Sequence, residues 1–166
     1  MSNMAELFKS FFASIEAWPI ATAIKESEWM FQTIETVHVL ALALVVGSIS
    51  MLDLRLLGRS PHRGVKEFSR EVLPWTWVAF LLAAASGSLM FMSAAVKYAS
   101  MVQFQVKIGL IVIAGINMIV FHFFTFRSVE NWNLDTTTPL GAKVAGGLSL
   151  FLWVGVVTFG RWVGFV

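Results

Sequence analysis

The chain has 166 residues, of which 57% are hydrophobic and 13% are charged, and its mean hydropathy is +0.75. This composition excludes a soluble globular enzyme and a disordered chain, because four apolar runs each approach the roughly 20 residues that span a bilayer. The chain has no cysteine, which excludes disulfides, zinc–thiolate sites, iron–sulfur clusters and covalently attached c-type haem. The net charge is +2, and the sequence has no stripe of basic residues that would bind nucleic acid.

The sequence predicts that residues 4–27 form an amphipathic segment that lies in the membrane interface. Large apolar residues recur there at helical spacing, while charged residues interrupt any continuous apolar run. These apolar residues are Leu7, Phe8, Phe11, Phe12, Ile15 and Trp18.

Four membrane spans are predicted at about residues 29–52, 73–95, 102–126 and 140–162. They indicate an all-α integral membrane protein, a four-transmembrane-helix bundle that forms one membrane domain over residues 1–166. Between the first two spans lies the most charged segment, which begins at Asp53 and Arg55. We expect that segment to be a solvent loop with a short helix.

Lysine and arginine predict the orientation. Seven lysine and arginine residues lie in or next to the loops after spans one and three. Three lie at the opposite ends of the spans. The positive-inside rule therefore predicts a multi-pass protein of the bacterial inner (cytoplasmic) membrane with both termini in the periplasm.

Polar residues of three spans meet at one predicted depth in the outer half of the membrane. Span one carries Glu35 and His38, span three carries Lys107 near its outer end, and span four carries Arg161 near its outer end. The rise of about 1.5 Å per residue places all four in one layer. Charges inside a bilayer are costly, so they are normally paired or functional.

Two interpretations of this layer stay open. In the first, it is a structural network in which Glu35 pairs with Lys107 or Arg161. In the second, His38 is the metal ligand of a b-type haem, and the cations bind the two haem propionates. His122 is expected roughly 22 Å further along span three than Lys107, near Asp53 at the cytoplasmic edge, so it cannot share one haem with His38.

The segment from His38 to Gly58 has the pattern H-x8-G-x5-D-x-R-L-L-G. It resembles the first span of a widespread, uncharacterised bacterial family of small four-span membrane proteins. More distantly, the histidine, glycine and arginine of this span, with Lys107 in a later span, are similar to HemJ-type protoporphyrinogen oxidases and CopD-type membrane proteins. The HemJ resemblance implies bound haem b, with His38 and Lys107 at the positions of an essential histidine and lysine.

Three functions follow from these observations. The first is a haem b protein that transfers electrons, with a quinone, a periplasmic electron carrier or another protein as its partner. The second is a haem-free transporter or metal-handling protein of the CopD kind, and the third is a structural subunit of a larger complex. The short loops leave no room for a soluble substrate domain, so a protein partner or a homo-oligomer within the lipid membrane is expected. Enzymatic activity stays open.

Overall fold

The computed structural model describes residues 2–59, 62–134 and 137–165, and these residues form helices, turns and loops without a strand. Seven α-helices occur in this described part of the chain. They are α1 (Ser2–Glu16), α2 (Pro19–Glu26), α3 (Met30–Leu56), α4 (Val65–Ser93), α5 (Ala95–Ser100), α6 (Val102–Val120) and α7 (Leu140–Val163).

Four helices are long and apolar enough to cross a membrane, which confirms the predicted all-α membrane class. They are α3, α4, α7 and a continuous segment, Val102–Asn131, that begins with α6. After α6 this segment continues as a π-helical turn, Phe121–Thr125, and a 3-10 turn, Phe126–Asn131. The helices extend beyond the predicted spans, since α3 ends at Leu56 and α4 already begins at Val65.

The four long helices pack as two antiparallel pairs. The first pair is α3 with α4 and the second is α6 with α7, and α3 also packs against α7. Small and branched side chains fill the centre, where Val45, Ala79, Ala114 and Val156 are buried together with two larger residues of α7. Helices α4 and α6 are therefore the outer members of the arrangement, and they border two cavities described below.

We call the end of the bundle where α3 begins and α7 ends the α5 end, because α5 lies there. Helix α1 is held at this end by two contacts. The Glu16 carboxylate accepts a hydrogen bond from the backbone N–H of Val96, at 2.7 Å, in the first turn of α5. Phe12 packs edge-on against Phe91 of α4, with 5.9 Å between ring centroids. The N-terminal segment is thus helical, as predicted, and attached to the bundle.

We call the opposite end the loop end, and here the structure differs from the sequence prediction. The expectation that Asp53 and Arg55 lie in a solvent loop is wrong, because both belong to α3 and are only 4% and 3% exposed. The Arg55 guanidinium donates to the carbonyl of Arg63 at 2.6 Å and to the carbonyl of Asn133 at 3.1 Å. Two separate loops therefore close over the end of α3, and their carbonyls compensate the buried cation.

The loop that contains Asn133 precedes α7, and it also contacts the start of α4. The Asn133 side chain accepts a hydrogen bond from the backbone N–H of Lys66, at 2.8 Å, and satisfies a donor in the first turn of α4. Lys66 also forms an ion pair with Glu130. These contacts connect the two helix pairs at the loop end.

Candidate functional site

A large cavity opens between the two helix pairs at the α5 end of the bundle. Its volume is about 820 Å³, within the range of about 300–1,000 Å³ that is typical of sites for small molecules and cofactors. We call it the His38 cavity. The four residues that the sequence analysis placed in one layer, Glu35, His38, Lys107 and Arg161, all line it.

His38 is held by α4 through one of its two ring nitrogens. Nδ1 lies 2.9 Å from the carbonyl oxygen of Ala83 and 3.1 Å from the Ser86 hydroxyl. A carbonyl oxygen can only accept, so the Ala83 contact requires the proton to be on Nδ1. The lone pair of the neutral ring is then on Nε2, and within the described residues Nε2 has no hydrogen-bond partner.

Three residues of α4 with small side chains or none make room for this ring. Ala83 and Ser86 are buried, and Gly87 has no side chain to occupy the space next to the imidazole. The sequence analysis did not assign these residues to the site. The short side chains were the available signal, because they let a neighbouring helix approach closely.

Lys107 crosses from α6 towards α7. A β-carbon at Gly160 would lie 3.5 Å from Lys107 Cε and 3.6 Å from Nζ, so the lysine stem lies directly beside the α7 backbone. Lys107 therefore packs along α7 at residue 160, at ordinary van der Waals distance.

Arg161 is exposed at the mouth of the cavity, where it stacks on an aromatic ring. Its guanidinium carbon lies 4.5 Å from the centroid of Phe165, a cation–π contact that holds the side chain near the cavity. Phe165 lines the same cavity. The sequence analysis did not identify this partner.

Glu35 brings a negative charge to the same wall. In the part of the chain that the structure describes, neither Lys107 nor Arg161 lies within 4.0 Å of its carboxylate. The direct pairing of Glu35 with either cation stays a prediction. The carboxylate of Glu35 and the two cations therefore line one cavity without forming an ion pair among the described residues.

Helix α5 adds two polar residues that the sequence analysis did not assign to the site. Lys97 and Tyr98 both line the cavity, so among the described residues three lysine and arginine side chains lie on its wall. Burial and the negative charge of Glu35 raise the pKa of the Tyr98 hydroxyl above its usual 10.0. Tyr98 therefore keeps its proton at physiological pH and is available as a hydrogen-bond donor.

The two other histidines lie away from this cavity. His122 is exposed and stacks on Phe126, with 5.3 Å between ring centroids and an angle of 14°. Among the described residues it forms no hydrogen bond to Asp53, and it does not line the His38 cavity. His62 is exposed in the loop before α4. Residues 2–59, 62–134 and 137–165 contain no group of three or more histidine, aspartate or glutamate side chains arranged to hold a metal ion.

The chain belongs to a family of unknown function, DUF6644, whose family model matches residues 21–166. The match begins within α2 and includes all four long helices, so every residue named in the His38 cavity lies inside it. No curated protein and no solved structure matches the chain. The distant similarity to HemJ-type and CopD-type proteins is not shown by these comparisons and stays a prediction.

Proposed function

We propose that this member of the DUF6644 family binds haem b in the His38 cavity and takes part in electron transfer. His38 carries the proposal. Histidines that bind metals usually donate their second ring N–H to a carbonyl or carboxylate, which fixes the tautomer and the orientation of the ring. His38 has this arrangement, since Ala83 accepts from Nδ1 and the Nε2 lone pair is available to iron.

The charges on the cavity wall suit the rest of the cofactor. Haem b carries two propionates, and Lys97, Lys107 and Arg161 supply positive charge around one cavity. Arginine binds a carboxylate through two parallel hydrogen bonds, whereas lysine acts as a point charge. The neutral Tyr98 hydroxyl can donate a further hydrogen bond. Glu35 then balances part of the positive charge.

The remaining wall suits an apolar macrocycle. Phe31, Phe91 and Phe104 line the cavity together with aliphatic residues of α3 and α7. When bound, haem b supplies a centre that gains and loses one electron. The protein's part is to hold the ring on His38, to fix the propionates with its cations and to keep water from the apolar faces.

The predicted topology completes the proposal. If the positive-inside rule holds, the α5 end faces the periplasm of a bacterial inner membrane, and so do both termini. The cationic mouth of the His38 cavity then faces periplasmic electron carriers. A quinone of the membrane, a protein partner or a second copy of the chain completes the proposed set of partners.

Absorption spectroscopy tests this proposal directly. The protein is produced in cells supplied with a haem precursor, purified in detergent, and its Soret band and pyridine haemochrome are measured. We expect about one haem b per chain, loss of the band in His38→Ala, and recovery in His38→Gly when free imidazole is added. His122→Ala is the matched control and should keep the band. A colourless wild-type protein would refute haem binding and leave the transporter and the structural subunit as the functions to test.

A further inference from the structure

A second cavity lies nearer the loop end of the bundle, and it shares no lining residue with the His38 cavity. Its volume is about 210 Å³, and residues of α3, α4, α6 and α7 surround it. We call it the Asp53 cavity. It does not enter the proposed function, so its chemistry needs a separate explanation.

Asp53 is the unusual residue of this wall. The residue is only 4% exposed, and among the described residues its Oδ2 atom is a buried side-chain oxygen without a hydrogen-bond partner. Ser149 of α7 lines the same cavity. Leaving a buried polar atom unpaired is energetically costly, so such an atom beside a cavity indicates a site for a hydrogen-bond donor.

The rest of the cavity wall is almost entirely apolar and rich in aromatic rings. Trp77 and Phe80 come from α4, Phe121 follows α6, and Trp153 comes from α7. An apolar cavity of about 150 Å³ is already large enough to take up benzene. A volume of 210 Å³ therefore accommodates one substituted aromatic ring.

The cavity is placed so that a ligand can enter it from the lipid. The helix pairs are α3 with α4 and α6 with α7, which leaves the boundary between α4 and α6 as the more open side. Trp77 of α4 and Met118 of α6 line the cavity and are 46% and 44% exposed. These side chains reach from the cavity to the surface that faces the bilayer.

We infer that the Asp53 cavity binds the ring of a lipid-soluble quinol, whose hydroxyl donates a hydrogen bond to the Asp53 carboxyl. A quinol combines an aromatic ring, a hydroxyl donor and an apolar tail. The ring matches the aromatic wall, the donor matches the unpaired oxygen, and the tail leaves between α4 and α6 into the lipid. Binding at this site does not require haem in the other cavity, so the two proposals fail independently.

Calorimetry with two matched probes tests the inference. The full-length protein in nanodiscs is titrated without oxygen with trimethylhydroquinone and with its dimethyl ether, and empty nanodiscs measure partition into lipid. The ether keeps the ring and loses both hydroxyl donors. We expect wild type to bind the hydroquinone at least about fivefold more tightly, since one hydrogen bond contributes about 1 kcal/mol.

Substitutions at Asp53 assign the effect to this residue. Asp53→Leu keeps the branched shape and the number of side-chain heavy atoms and removes the acceptor, so the preference for the hydroquinone should disappear. Asp53→Asn keeps a carbonyl acceptor and should retain part of the preference, and it serves as the test if the leucine variant does not fold. Glu71→Leu, at an exposed carboxylate, is the control and should bind as wild type does.

Three results would overturn the inference. The first is equal affinity of wild type for the two probes, which would describe an apolar cavity that accepts any ring. The second is no binding of either probe above the empty nanodiscs, which is the result expected if a lipid chain fills the cavity. The third is an unchanged preference in Asp53→Leu.

Discussion

The imidazole of His38 occupies the place where a side chain of Gly87 would begin. A β-carbon built on Gly87 would lie 2.9 Å from His38 Cε1, closer than β-carbons approach other atoms in proteins. The His38 ring of α3 therefore packs directly against the backbone of α4 at this point. The absence of a side chain at residue 87 positions the histidine as directly as its hydrogen bond to Ala83 does.

Gly87→Ala should displace the His38 ring and weaken haem retention. The methyl group would crowd Cε1, so the ring or the α4 backbone must shift, and either shift would disturb the bond from Nδ1 to Ala83. Gly47→Ala is the matched control, because no atom lies within 4 Å of a β-carbon there. Haem content per chain after purification measures both variants. Equal haem content in the two would mean that the position of His38 does not govern binding.

Lys107→Ala should weaken haem retention or shift the redox potential, whereas His122→Ala should leave the spectrum unchanged. Lys107 lines the His38 cavity, and His122 lies outside it against Phe126. Spectra and redox titrations of the two purified variants make the comparison. If His122→Ala bleaches the protein and Lys107→Ala has no effect, the haem is bound elsewhere and the assignment to the His38 cavity is wrong.

Gly146→Ala should destabilise the bundle, and Gly147→Ala should not. A β-carbon at Gly146 would lie 3.0 Å from the backbone oxygen of Asp53, and a backbone atom cannot move aside as a side-chain tip can. At Gly147 the nearest atom is a leucine methyl at an ordinary 3.8 Å. We expect a loss of about 1–3 kcal/mol for Gly146→Ala alone, as is usual for overpacking. Thermal unfolding in one detergent compares them, and equal stability would contradict the close crossing of α3 and α7.

Cysteines at the two ends of the bundle should be labelled from opposite sides of the membrane. The native chain has no cysteine, so Arg63→Cys and Ser100→Cys each introduce one exposed thiol. A membrane-impermeant maleimide applied to intact spheroplasts should label Ser100→Cys, and it should label Arg63→Cys only after the membrane is opened. The reverse pattern would invert the topology and place the His38 cavity at the cytoplasmic face.

Much of the architecture could be predicted because lipid imposes one simple requirement on the sequence. A spanning segment must be apolar and about 20 residues long, and this pattern identifies the four long helices. Depth along each helix follows from the rise per residue. That arithmetic was enough to predict that Glu35, His38, Lys107 and Arg161 share a layer, and they line one cavity.

The sequence could not show how each side chain is held. Helical depth fixes a position along the membrane normal but not which neighbouring helix a residue faces. The contact of His38 with Ala83 depends on how α4 is rotated, and the contact of Lys107 with Gly160 depends on how α7 is rotated. The buried Asp53 and Arg55 were missed because charge alone indicated solvent, while the carbonyls that accept from Arg55 come from two loops, one of them 78 residues away in the sequence.

The two ends of the bundle differ in how closely the helix pairs are joined. Arg55 and Asn133 join the loops there, and Lys66 with Glu130 adds an ion pair. At the α5 end the same helices are separated by the His38 cavity of about 820 Å³. The His38 cavity and the loop-end contacts lie at opposite ends of the bundle, so a ligand in the cavity would contact both helix pairs without displacing the hydrogen bonds of Arg55 and Asn133.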